Sequence, residues 1–162
     1  MKVYYFEIDL PTEVDESPEF NRVLDIFLSL LKRMYGEYSI YNKIYIAYET
    51  FDVTTEKGVI FCDDFFTQKF DEFLNYIKSN FIGITSFVEE ITIDVKLGRC
   101  KNEVFISLFE SENSDINNQY NLAIYLETYV THDDVLVKVF ESGIDSLTDD
   151  EKNILETASK SL

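Results

Sequence analysis

Apolar positions along the chain switch between a period of two and a period near 3.6, and each switch predicts an element. Val3 to Asp9 is a short aromatic and β-branched run that predicts a strand, followed by a polar, Pro-containing loop from Pro11 to Ser17. Ser17, Pro18 and Glu19 then supply the chemistry of a helix start: an N-cap oxygen, a first-turn residue that needs no donor, and an acid against the positive helix end. Phe20, Val23, Leu24, Phe27, Leu31 and Met34 share one face of that helix, Ile26, Leu28 and Leu30 widen it, and Gly36 supplies the stop. From Tyr38 to Phe51 alternation places Ile40, Ile44, Ile46 and Tyr48 on one face of a strand. Glu56, Lys57 and Gly58 lead from it into a second strand, Val59 to Cys62, which reads as a hairpin.

Asp63 and Asp64 open a second helix through about Asn80, with Phe66, Phe70, Phe73, Leu74 and Ile77 at i, i+3, i+4 spacing. Two further strands are predicted, Phe87 to Leu97 and Glu103 to Phe109, joined by a turn from Gly98 to Asn102. Glu110 to Gln119 lacks apolar periodicity and reads as an exposed loop, and Tyr120 to Val130 alternates like another long strand. The tail predicts a helical hairpin over 132–160. Thr131 caps its first helix, Leu136, Val139, Phe140 and Gly143 line one face, and Asp134, Lys138 and Glu141 line the other. Gly143-Ile144 has the composition of a Schellman ending, and Thr148 to Glu151 is a capping box for a last helix ending near Ser159.

The fold class expected from this order is α+β: one domain over residues 1–162, with an antiparallel or mixed sheet of about six strands, two packed helices and the C-terminal helical hairpin. The first hundred residues, read as βαββαβ, resemble a ferredoxin-like split βαβ sandwich. No internal repeat, low-complexity tract or linker composition divides the chain.

Composition changes the picture mainly through charge. With 46% apolar residues and 25 Phe and Tyr in 162, the chain has ample material for a core and is unlike a disordered sequence. Against that, 31 Asp and Glu face 14 Lys and Arg, a formal charge of −17, which opposes direct binding to nucleic acid or to anionic membranes. Glu7 and Asp9 interrupt the first apolar run too early for a secretory signal, and no stretch approaches a membrane span, so a cytoplasmic location is expected.

No catalytic or cofactor motif emerges. Cys62 and Cys100 are far apart without flanking His and read as free, buried thiols. The only histidine, His132, has no partner nucleophile in a recognisable local signature, and phosphate-cradling Gly-rich loops and His-Glu-x-x-His are absent. The oxygen-rich stretch Glu112 to Asn118 lacks the spaced acids, turn Gly and terminal Glu of a calcium loop, so no metal site and no cofactor are expected.

The charge is unevenly placed. No Lys or Arg occurs between Glu103 and Val137, and the N-terminal Glu7, Asp9, Glu13, Asp15, Glu16 and Glu19 are accompanied only by Lys2 and Arg22. The expectation is therefore an acidic protein-binding inhibitor, of the kind exemplified by bacterial immunity proteins, that neutralises a basic toxin or nuclease by covering its cationic cleft. Its candidate contact residues are Glu110, Glu112, Asp115, Tyr120, Tyr125, Glu127, Tyr129, Asp133 and Asp134, with tyrosines as anchors among carboxylates. Three alternatives stand beside it: a structural or adaptor module with merely solubilising acids, a DNA mimic, and an enzyme with a dispersed carboxylate site involving His132.

Overall fold

The structure, a computed structural model, describes residues 1–35, 44–50 and 54–159. Among them are one four-stranded sheet and eight helices, an α+β arrangement. The strands are β1 (Lys2–Asp9), β2 (Tyr45–Thr50), β3 (Thr55–Cys62) and β4 (Thr85–Glu90). They lie in the order β2-β3-β1-β4, and every neighbouring pair is antiparallel. Because β1 and β2 both oppose β3, they run in the same direction with β3 between them. The short helix α1 (Thr12–Asp15) precedes the long α2 (Pro18–Tyr35), and α3 (Asp64–Asn80) follows β3. The expected N-terminal order is thus approached but carries one extra helix after β1, and four strands form rather than about six.

The C-terminal third departs most from expectation. The strand predicted over Phe87 to Leu97 stops at Glu90 and turns into α4 (Thr92–Lys96). The reason lies at the sheet edge: the Thr92 hydroxyl accepts from the Val3 N–H at 2.9 Å, taking the place of the next ladder partner, while Ile91 and Val95, four residues apart, turn into the core. Glu103 to Phe109, also predicted as a strand, is helical. It comprises α5 (Glu103–Phe105) and a π-helical turn over Ile106–Glu110, and the Asn102 side chain accepts from the Phe105 N–H at 3.0 Å. The buried Phe105, Leu108 and Phe109 have helical i, i+3, i+4 spacing.

Tyr120 to Val130 is likewise not a strand but most of α6 (Ile116–Tyr129), capped by Asp115 onto the Asn117 N–H at 2.7 Å. The predicted loop therefore shrinks to the few residues between Glu110 and Ile116, and the turn from Gly98 to Asn102 joins two helices instead of two strands. The helical hairpin is present as α7 (His132–Ser142) and α8 (Asp149–Ser159), with capping boxes at both starts. Gly143 does end α7 with a positive φ of 82°, but its ψ of 161° is not that of a Schellman cap, and a 3-10 turn over Ile144–Ser146 follows. The expected stop at Gly36 and the strand positions 38–43 and 51 lie outside the described residues.

The sheet is covered on both faces. Phe6, Ile60, Cys62 and Ile44 pack with Leu31 and Phe66 under α2 and α3, whereas Val3, Tyr5, Val59 and Phe61 pack with Val95, Phe105, Phe109 and Tyr125 under α4 to α6. Double coverage explains why β1 and β3 read as nearly continuous apolar runs without clean alternation. Gly58 sits at the centre of the sheet for a steric reason. A Cβ there would lie 2.5 Å from the Ala47 carbonyl oxygen and 2.7 Å from the Phe6 ring. No described helix is long and apolar enough to cross a membrane.

Candidate functional site

Residues 103–159, which build most of the layer on the Val3–Phe61 face, hold thirteen Asp and Glu against Lys138 and Lys152. Lys138, with Lys96 and Arg99 from the preceding segment, is directed at acids that hold helices together, whereas Lys101 is exposed and makes no ion pair among the described residues. Lys138 donates to both Glu151 oxygens at 2.8 and 3.0 Å and joins α7 to the first turn of α8. Lys96 pairs with Asp134 at 2.9 Å, fastening α4 to the start of α7, and Arg99 bridges Asp94 and Glu141. Lys152 meets Asp149 within α8 at 3.3 Å.

The candidate acids divide accordingly. Asp134 is a structural residue: its carboxylate accepts from the Thr131 N–H and hydroxyl and from Lys96. Burial alone would raise its pKa, but these hydrogen bonds outweigh burial and hold it below the ordinary value. Asp115 is the N-cap of α6 and remains exposed. Glu110, Glu112, Glu127 and Asp133 are exposed and make no ion pair with Lys or Arg among the described residues; Asp133 lies only near His132 Nδ1, at 3.5 Å. In the N-terminal group, Glu7 pairs with Lys57 at 3.2 Å, and Asp9 accepts from Thr55 and Thr85, tying β1 to both neighbours.

The tyrosines divide too. Tyr120 is 67% exposed, whereas Tyr125 is buried against Phe61, with ring centroids 4.9 Å apart, and its hydroxyl donates to the Met1 carbonyl at 3.3 Å. Burial, then nearby Asp134, raises the Tyr125 pKa, so its hydroxyl stays neutral. Tyr125 is thus a core residue and not the exposed anchor expected. Tyr129 is half-buried and rests on it at 5.3 Å. Both line a cavity of about 250 Å³ between α6 and the β2 edge, shared with Tyr45, Asn121 and Thr128. A second, more polar cleft of about 590 Å³ runs past Asp115 between β2 and residues 107–118, lined by Ser111, Ser114 and Asn118.

Sequence reasoning named Tyr120 but missed the other outward apolar residues of this layer. Ile116, Tyr120 and Ile124 follow one another at i+4 on α6 and are exposed, and Glu127 continues the stripe. On α7, Leu136 and Val137 are exposed and Phe140, expected on the inner face, is 92% exposed, with Ile144 beyond it. Packing chose between two apolar sides of α6: Leu122, Tyr125, Leu126 and Tyr129 take its inner face and leave the others outside. The layer thus exposes both apolar side chains and carboxylates that pair with no Lys or Arg among the described residues.

Burial raises both thiol pKa values, that of Cys62 to about 11, and Asp94, Glu110 and Glu89 add to the rise at Cys100, so neither is a thiolate at neutral pH. Among the described residues, no three His, Cys, Asp or Glu are grouped to hold a metal ion. No protein-family model, curated protein or solved structure matches the chain.

Proposed function

We propose that this chain is an acidic protein-binding inhibitor whose α6–α7 surface covers a cationic surface on another protein, as an immunity-type protein covers a basic toxin or nuclease. The observation that carries the reading is the division of charge in that layer. Lys96, Arg99 and Lys138 are joined to acids that cap and clamp helices, while Glu110, Glu112, Glu127 and Asp133 are exposed without a Lys or Arg partner among the described residues, and Tyr120 and Phe140 are exposed in the same layer. Such a field speeds encounter with a basic partner, and exposed aromatic anchors then supply short-range affinity. A cytoplasmic site of action belongs to the same proposal. We also read β1 to β4 as a ferredoxin-like scaffold, supported by β1 and β2 running the same way on either side of β3.

The test is capture with the immobilised chain, followed by affinity measurements on the captured protein across salt and an assay of any nuclease or toxin activity it has. The expected partner is basic, loses affinity steeply as salt rises, fails to bind when Glu110, Glu112, Glu127 and Asp133 are changed to Lys, and is inhibited when bound. Binding that survives both high salt and the four reversals would instead favour an adaptor with solubilising acids. That second reading draws on the exposed Ile26, Leu30 and Tyr76 of the opposite layer.

A further inference from the structure

The layer formed by α2 and α3 carries a groove of about 390 Å³ whose walls include Val23, Ile26, Leu30 and Tyr76 and whose floor is the stacked pair Phe27 and Phe73, with ring centroids 4.3 Å apart. Ile26 is 61% exposed and Tyr76 52%, so the groove leaves apolar surface in water on an outward helix face. The charge here contrasts with the rest of the molecule. Helix α2 has Glu19 and Asp25 with Arg22, Lys32 and Arg33, and α3 has Asp64, Asp71 and Glu72 with Lys69 and Lys78. Five acids meet five bases, so the two helices are neutral and the whole formal charge of −17 resides elsewhere.

We infer that this groove is the contact face of a symmetric homodimer, α2 and α3 of one copy lying against α2 and α3 of the other. A basic partner is drawn to the acidic layer and gains no electrostatic advantage here. A second copy, equally acidic overall, meets no net charge on these two helices. Docked through α2 and α3, the two acidic layers would be separated by two sheets and two helix layers, five interlayer spacings or about 50 Å at ~10 Å each, several times the screening length of about 8 Å at physiological salt. The rim is self-complementary as well. Lys69 and Glu72 stand 2.6 Å apart beside the groove, so a two-fold contact offers each acid a base from either copy. Helices of 18 and 17 residues are about 27 and 25 Å long. Side by side they give a face of about 500 Å², at the low end for a specific interface, which predicts a reversible, micromolar dimer.

This inference does not depend on the proposed partner. Sedimentation equilibrium on the full chain over a wide concentration range should show monomer and dimer in reversible exchange, with association unchanged or tighter as salt screens the repulsion between copies. Ile26→Glu and Leu30→Glu should weaken it by about tenfold or more, whereas Phe140→Glu and Glu127→Lys should leave it intact, all four with the circular dichroism of the parent. A chain that stays monomeric at hundreds of micromolar would overturn the inference. So would a dimer that survives Ile26→Glu and Leu30→Glu but is lost with Phe140→Glu. Loss of the basic partner with Phe140→Glu while the dimer persists would separate the two surfaces.

Discussion

The two helical layers cover the same sheet with comparable aromatic cores, yet they treat charge in opposite ways. Under α2 and α3 the core is Phe6, Phe66, Phe70 and the Phe27–Phe73 stack, and the outer surface is neutral and locally apolar. Under α4 to α6 the core is Phe61, Phe105, Phe109 and Tyr125, and the outer surface is dominated by acids. Burial holds each layer on the sheet. What differs is how the helices are held to each other: α2 and α3 by aromatic contacts, and α7 to its neighbours by ion pairs with little exposure, Lys138–Glu151 and Lys96–Asp134. Like charge in the second layer would push those helices apart, and Asp134 and Glu151, the acids that fasten α7, are each matched with one of the few bases.

The comparison can be broken most severely at the core. Phe66→Ala and Phe105→Ala should each cost about 4 kcal/mol in urea unfolding, because both rings are fully buried, one on each face of the sheet. A loss confined to one of them would mean that only one layer supports the global fold. Lys138→Met comes next. It strands Glu151, whose side chain is only 12% exposed, and should cost about 3 kcal/mol, whereas Lys69→Met removes a pair within one helix of the neutral layer and should leave the unfolding midpoint nearly unchanged.

Neighbouring acids should then separate cleanly. Asp134→Asn removes a cap and an ion pair and should cost about 1–2 kcal/mol, while Asp133→Asn should be nearly silent in thermal melts. Acid should act on the same layer. Hydrogen bonds from Thr131 and Lys96, and from Lys138 and Thr148, override the raising effect of burial and lower the pKa values of Asp134 and Glu151 from ordinary values of 3.8 and 4.5. Their contribution is therefore complete above those values and lost as pH falls through the lower folded-state ones. Amide exchange should show α7 and α8 loosening in that range before α2 and α3, and Glu151→Gln should flatten the response. The smallest effect is expected from Glu110→Gln, Glu112→Gln and Glu127→Gln, each within about 0.5 kcal/mol and tending to stabilise at low salt, as relief of repulsion requires.

What the chain determined by itself is what local chemistry can specify. The starts of α3, α7 and α8 follow from Asp63, Thr131 and Thr148, whose side chains meet orphan N–H groups a few residues ahead. The apolar runs of β1 and β3, the helical period of α2 and α3, and the surplus of carboxylates were equally legible. Tertiary structure decided the segments whose pattern satisfies two periods at once. Val104, Ile106 and Leu108 alternate like a strand, while Phe105, Leu108 and Phe109 recur like a helix, and the sheet face over Phe61 accepted the second set. Residues 116–129 are apolar on two sides, so only packing against Phe61 and Met1 could choose Tyr125 for the core and leave Tyr120 outside. The same holds for the acids. Thr131 singles out Asp134 from Asp133 locally, through the capping box, but Asp134 fastens one helix to another only when α4 brings Lys96 to it.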